Sequence, residues 1–200
     1  MINKKYWDGF YKSNNLTIEE SSFSKFTYNF IKENNLLDNK VLDIACGNGR
    51  DTFYFSKMDI NSTGIDLSVK PKSKNPKFIK GNILEFDYSN YDILYLRFII
   101  HSLTEIELDK LLKKINESSK NHILFIETRS SKEITNDEKS ETFFKSSIGE
   151  EHFRMLYSKE YLTKKLSKYF EILYELEDVG LSIYKSDNPY CIRYILKSKF

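Results

Sequence analysis

Val41-Leu42-Asp43-Ile44-Ala45-Cys46-Gly47-Asn48-Gly49 carries an apolar strand into a turn of small residues, and Asp66 follows nineteen residues after Gly47. A second apolar run, Ser62 to Ile65, ends on that carboxylate. Glycines let a backbone approach a ligand, and an acid closing the next strand accepts from ribose hydroxyls. The unit therefore reads as the nucleoside site of a parallel α/β sheet. A pyrophosphate turn would need G-x-G-x-x-G, but Asp51-Thr52 follow Arg50 where the third glycine would stand. Asp43 and Asp51 would also repel a diphosphate. A cationic, phosphate-free nucleoside suits this turn better.

The rest of the chain bounds the answer. Its 200 residues fit a single α/β domain with a sizeable core. Lys+Arg 31 against Asp+Glu 29 leaves a net charge of +2, so nothing in the balance calls for a nucleic-acid partner. Lysine far outnumbers arginine, which makes the few arginines stand out. Cys46 and Cys191 are far apart and lack metal spacing; they read as small buried thiols in a reducing cytoplasm. The N-terminus lacks the apolar core of a signal peptide, and no run reaches the roughly 18 apolar residues of a membrane span. A soluble cytoplasmic protein is expected, with no metal set and no predicted oligomeric state.

Strand, helix and strand alternate along the chain. Strands are predicted at about 40–45, 62–66, 77–80, 92–96 and 122–126, with helices at about 50–58 and from Thr104 to about Ser118. Thr104 and Glu107 make a capping box. Ser158 caps a helix through Lys168, and two strands, Tyr169 to Glu177 and Tyr190 to Leu196, close the chain. Tyr6, Trp7, Phe10 and Tyr11 form an aromatic stripe, and Ser21 or Ser22 caps a second early helix. Residues 1–38 read as an N-terminal helical flap on a unit spanning 39–200, and the polar stretch 130–150 as a mobile insertion. The expected fold is one Rossmann-like domain: a mostly parallel seven-stranded sheet with a C-terminal antiparallel strand and helices on both faces.

Taken with that order, D-x-A-C-G-x-G and the following acid resemble the class I S-adenosylmethionine-dependent methyltransferases over essentially the whole chain. Ala45 stands where many members have glycine. The resemblance implies S-adenosylmethionine as cofactor, held beyond the carboxyl ends of the strands. Asp43 and the turn Ala45, Cys46, Gly47, Asn48, Gly49 and Arg50 would pass under its methionine, Asp66 would bind the ribose, and Leu67 would pack on the adenine. Asn82 replaces a frequent acid beside the adenine amino group, with Ile83 and Leu84 offering apolar surface. Arg97 would border the methionine, and Tyr6 with Trp7 would form a flap over the cofactor or, equally, a helix face in the core.

Scarce polar residues gather at the remaining strand ends: Arg97 and His101 after strand four, Glu127 and Arg129 after strand five, then His152, Arg154 and Tyr157. Arginines converging on one pocket argue for an anionic small-molecule acceptor, because the guanidinium fork matches carboxylate or phosphate oxygens. Arg97-Phe98-x-x-His101, Glu127-x-Arg129-Ser130, Glu151-His152-x-Arg154 and the pattern from Gly180 to Arg193 are similar to a branch found in bacterial surface-polysaccharide clusters. Some of its relatives are linked to O-methyl phosphoramidate decoration of capsules. An O-methyltransferase acting on a phosphate or phosphoramidate is therefore expected. A sugar-hydroxyl O-methyltransferase, using His101 or His152 as base, and a non-catalytic cofactor-binding partner are the rivals. No N-P-P-Y-like motif or basic face marks a nucleic-acid methyltransferase.

Overall fold

Val41–Ile44 (β1) is an interior strand, third in a seven-stranded sheet, and is buried along its whole length, as a strand covered on both faces must be. The computed structural model describes residues 3–13, 17–68, 71–118, 121–134, 137–144 and 151–199. Side chains of β1 alternate between two cores. Val41 joins Phe55, Ile93, Tyr95 and Phe125 on one face. Leu42 and Ile44 join Leu94, Leu96, Leu124 and Ile126 on the other.

On the first face lie α2 (Ser22–Glu33) and α3 (Arg50–Lys57), through Phe23, Ile31 and Phe55. On the second lie α4 (Glu105–Glu117) and α5 (Lys159–Leu166), through Leu108, Leu111, Leu112, Ile115, Leu162 and Leu166. All three helix starts expected to be capped are capped, Ser158 accepting from the Tyr161 N–H at the start of α5. Ser21 accepts from the Ser24 N–H, and Thr104 with Glu107 forms the reciprocal capping box. α1 (Lys4–Ser13) stands apart from α2. It is pinned by Asn3, whose side-chain amide donates to the carbonyls of Ser102 and Phe153. Of the stretch expected as a flap, α1 and the segment from Thr17 to Ser22 line the site, while α2 packs on the sheet through Phe23 and Ile31.

The remaining strands are β2 (Ser62–Asp66), β3 (Lys77–Lys80), β4 (Ile93–Arg97), β5 (Ile123–Arg129), β6 (Lys139–Phe144), β7 (His152–Tyr157), β8 (Phe170–Asp178) and β9 (Cys191–Ser198). The sheet order is β3-β2-β1-β4-β5-β9-β8, with β9 antiparallel to its neighbours and the other pairings up to β5 parallel. The chain winds outward through β2 and β3, then returns to β4 on the other side of β1. That reversal opens a crevice at the carboxyl ends of β1 and β4, where ligands of such sheets bind.

Two elements differ from expectation. β5 runs on to Arg129 because β9 pairs along its full length, Glu127 with Arg193 and Arg129 with Cys191. β7 replaces the loop expected ahead of α5, and it pairs with β6 in a separate two-stranded sheet. Every residue of β7 is buried, with polar His152 and Arg154 alternating with apolar Phe153 and Met155. The insertion 130–150 thus contains strand structure at 139–144. Residues 135, 136 and 145–150, on which part of the expected mobility falls, lie outside the described residues. Among the described residues no helix is long and apolar enough to cross a membrane.

Replacing Thr104 by Ala removes the side-chain acceptor of the Glu107 N–H at the start of α4 and leaves the backbone N–H of residue 104 donating to Glu107 Oε2. The expected loss is about 0.5–2 kcal/mol in urea unfolding, with an unchanged denaturant slope; an undisturbed midpoint would show that the cap contributes nothing.

Candidate active site

A cavity of about 570 Å³ opens at the reversal, within the size range of small-molecule sites. Its lining joins the turn after β1, the ends of β2 and β4, helix α1, and the loop between β8 and β9.

The turn is built on left-handed backbone. Ala45, Gly47 and Gly49 have φ of 60°, 57° and 79°. Any Cβ on Gly47 would collide with the hydroxyl of Tyr11, which α1 lays directly on the turn. Ala45 adopts the same conformation with a Cβ, a strain that glycine would relieve. The Gly47 N–H donates to Asp66 Oδ2 at 3.0 Å and the Ser68 N–H to Oδ1 at 2.7 Å, fixing the carboxylate at the cavity wall. Leu67 and Ile83 supply apolar surface beside it.

Tyr6, Trp7, Asp43, Ala45, Cys46, Gly47, Asn48, Arg50, Asp66, Leu67, Ile83 and Arg97 all line this cavity. Gly49, Asn82 and Leu84 do not. Gly49 is the N-cap of α3. Asn82 turns its carbonyl oxygen to the Leu84 N–H at 3.0 Å, which commits it to its own turn, and Leu84 is buried in the core.

Asp43 accepts from the Thr52 hydroxyl at 2.6 Å and is 3 % exposed. Burial, followed by the field of Asp51, raises its carboxyl to about 8. Asp51 is occupied structurally, accepting from the backbone and side chain of Ser21 and from the Tyr95 hydroxyl. Burial and then the charge of Arg97 lower Arg50, and both residues line the cavity.

The acceptor side departs most from expectation. Arg97, Arg129, His152 and Arg154 line the cavity, whereas His101, Glu127 and Tyr157 do not. Glu127 is fully buried and accepts from Arg97 Nε at 3.0 Å and Arg193 Nε at 2.7 Å, so it is a structural bridge. His101 is also fully buried. Its Nδ1 accepts from the Arg129 N–H at 3.2 Å and contacts the Thr128 hydroxyl at 3.0 Å. Burial, then the charge of Arg154, drives its pKa far down and keeps the ring neutral, with its proton on Nε2. Tyr157 stacks on Tyr161 beneath the surface, and burial raises its hydroxyl.

The three arginines do not form one anion clamp. Arg97 is held by Glu127 and Ser182, and Arg129 by Glu133 and Asp187. Arg154 differs. It is 5 % exposed, its Nε has no hydrogen-bond partner, and no ion pair includes it among the described residues. Burial, then the neighbouring Arg129, lowers its guanidinium to about 10. The Tyr6 ring lies on His152 at 3.9 Å, with Trp7 edge-on at 5.4 Å, so the aromatic stripe of α1 walls this end of the cavity.

Sequence reasoning missed Tyr11 on the turn and the loop residues Ser182, Ile183, Tyr184 and Asp187. Phe98, which the resemblance places beside Arg97 at the cofactor's methionine, lines the cavity at φ 59° and stacks under Arg97 at 4.4 Å. The loop carried a signal: Gly180 and Asn188 lie on either side of a short hairpin turn.

Comparison with known proteins agrees with this geometry. The methyltransferase domain family matches residues 42–123. The crystal structure of a Burkholderia thailandensis 1,6-didemethyltoxoflavin N1-methyltransferase, bound to 1,6-didemethyltoxoflavin and S-adenosylhomocysteine, superposes with a TM-score of 0.75 at 14 % identity. It covers 98 % of this chain and 86 % of that one. A Methanosarcina mazei S-adenosylmethionine-dependent methyltransferase gives 0.67 at 19 % identity, over 84 % and 96 % of the two chains. A glycopeptide N-methyltransferase complexed with S-adenosylmethionine gives 0.62 at 14 %, over 90 % and 94 %. No curated protein sequence matches the chain. These likenesses define the class of fold: that of the solved methyltransferases, with the family match confined to residues 42–123.

The Asp43 carboxyl gives a pH test. In the unfolded chain it loses its proton near 4, and in the folded protein near 8. Its contribution to stability is therefore complete below about pH 4 and is lost as the pH rises toward 8. The ligand-free protein should melt at progressively lower temperature across that window, and Asp43→Asn should flatten the decline. Parallel profiles for the two proteins would contradict this origin.

Proposed function

We propose that the protein transfers a methyl group from S-adenosylmethionine to an anionic oxygen of a small acceptor. The sequence resemblance points to a phosphate or phosphoramidate on a surface-polysaccharide precursor as that acceptor. The observation that carries the anionic reading is Arg154, a buried guanidinium in the cavity wall whose Nε has no hydrogen-bond partner among the described residues. A buried N–H without an acceptor is costly, and an oxygen of the acceptor's anionic group supplies one.

The residues present fit the cofactor. Asp66, held by two backbone donors, keeps acceptor capacity for the ribose hydroxyls, and Leu67 with Ile83 supports an adenine. Arg50 and Arg97 suit the carboxylate of the methionine portion, and Asp43 lies beside its cationic groups. Two of the solved neighbours named above, the toxoflavin-precursor and glycopeptide N-methyltransferases, bind the cofactor or its demethylated product, which supports the same assignment. When bound, S-adenosylmethionine supplies a methyl group activated on a positively charged sulfur.

The protein aligns the acceptor with that methyl group and excludes water. Arg154 binds the anionic group, while Tyr6, His152 and Phe98 wall the site. An anionic oxygen needs no proton removed, and His101, the candidate base from sequence, is sealed off behind Thr128 and the Arg129 backbone. His152 is the remaining histidine at the cavity, and its ring is stacked on Tyr6.

Labelled S-adenosylmethionine offered with phosphoramidate, phosphate monoesters and nucleotide sugars should label the phosphoryl acceptors. Label on sugar hydroxyls alone would replace this reading. Arg154→Gln should raise the acceptor KM about 10- to 100-fold, the loss of hydrogen bonds to a charged group, and leave the cofactor KM unchanged. Asp66→Ala should weaken cofactor binding by more than ~1 kcal/mol in calorimetry; unchanged affinity would remove the carboxylate from the site.

A further inference from the structure

Three arginines from three adjacent strands close on a single loop, the connection between β8 and β9. Arg97 of β4 donates to Ser182 Oγ at 3.0 Å, Arg193 of β9 donates to the Leu181 carbonyl at 2.6 Å, and Arg129 of β5 ion-pairs with Asp187. Within the loop, Tyr184 and Asp187 exchange two backbone hydrogen bonds of 2.9 Å, and the Gly180 N–H donates to Asn188. The clip at Asp187 differs from the other two. Ser182 and the Leu181 carbonyl are neutral, whereas Asp187 brings a carboxylate into the cavity wall beside Arg154.

Arg129, Arg154, Glu133 and Asp187 form a balanced group, two positive charges against two negative. Glu133 is half-buried, with its side chain 13 % exposed, and does not line the cavity. Asp187 lines the cavity at the tip of a loop and is 21 % exposed. An acceptor anion added to this group would leave an excess negative charge in a poorly solvated wall, where like charges repel strongly. Exchanging it for Asp187 keeps the balance.

We infer that Asp187 is a built-in occupant of the anion subsite: its carboxylate sits on Arg129 where the acceptor's anionic group binds, and the acceptor displaces it. Displacement undoes the charged clip on the loop, so acceptor binding is coupled to release of residues 181–187. It also sets specificity, because a neutral acceptor gains nothing by competing with a carboxylate for the guanidinium. This inference rests on the anionic-acceptor reading.

Trp7 is the single tryptophan and lies in the cavity wall against His152, so its fluorescence reports on this end of the site. Wild type, Asp187→Asn, Glu133→Gln and Arg154→Gln are titrated with inorganic phosphate and with phosphoramidate. Asp187→Asn should tighten anion binding by about tenfold or more, the scale expected on removing an adjacent competing charge. Glu133→Gln, which removes an equal charge without freeing the subsite, should tighten it clearly less. Equal gains in the two variants, or none in Asp187→Asn, would overturn the displacement while leaving Arg154→Gln sensitive. Binding that survives Arg154→Gln would instead sink the anionic-acceptor reading. Hydrogen exchange on the wild type supplies a variant-free check: phosphate should speed exchange at 181–187, and slowed or unchanged exchange counts against release.

Discussion

Parallel pairing of β1 with both β2 and β4 is the constraint from which the rest of the site follows. Because the chain leaves β1 in one direction and returns on its other side, the two strand ends diverge and leave a crevice that no connection fills. The turn after β1 must then bend away sharply, which is why three of its residues take left-handed backbone. One hydrogen bond, from the Gly47 N–H to Asp66, ties that turn to the end of β2 and sets the carboxylate at the crevice. Small residues and one acid are thus held where a nucleoside can meet both.

Charge organises the other half. Four of the five arginines line the cavity, and the fifth, Arg193, stands directly behind it. Buried Glu127 binds both Arg97 and Arg193, and Arg193 packs over Phe23 and Phe26 while reaching Ser22 and Leu181. Removing one member of such a buried network leaves an uncompensated charge, a loss on the order of 3–5 kcal/mol. The network therefore couples the N-terminus of α2, the end of β4 and the loop after β8 into one wall.

Local signals carried much of the fold. The strand, turn and acid from Val41 to Asp66, the Thr104–Glu107 capping box and the Ser158 cap each depend on residues a few positions apart, so their physics is visible in the chain. The site was legible only to the level of which residues gather there. Pairings such as Arg97 with Glu127, Arg129 with Asp187, or Tyr6 with His152 join distant segments, and pattern has no access to them. His101 shows the consequence: its sequence position beside Arg97 promised a base, yet a 3-10 turn over Ile100–Ser102 folds it away into the interior. β7 was missed despite the alternation of polar His152 and Arg154 with apolar Phe153 and Met155; its polar side chains face a cavity and not water.

A crystal structure of the protein with S-adenosylhomocysteine tests the central claim most directly. The account requires the adenosyl ribose on Asp66 and the amino-acid portion along Ala45 to Asn48, between Arg50 and Arg97. A ligand bound elsewhere, with Tyr11 still sealing Gly47 and nothing on Asp66, would contradict it.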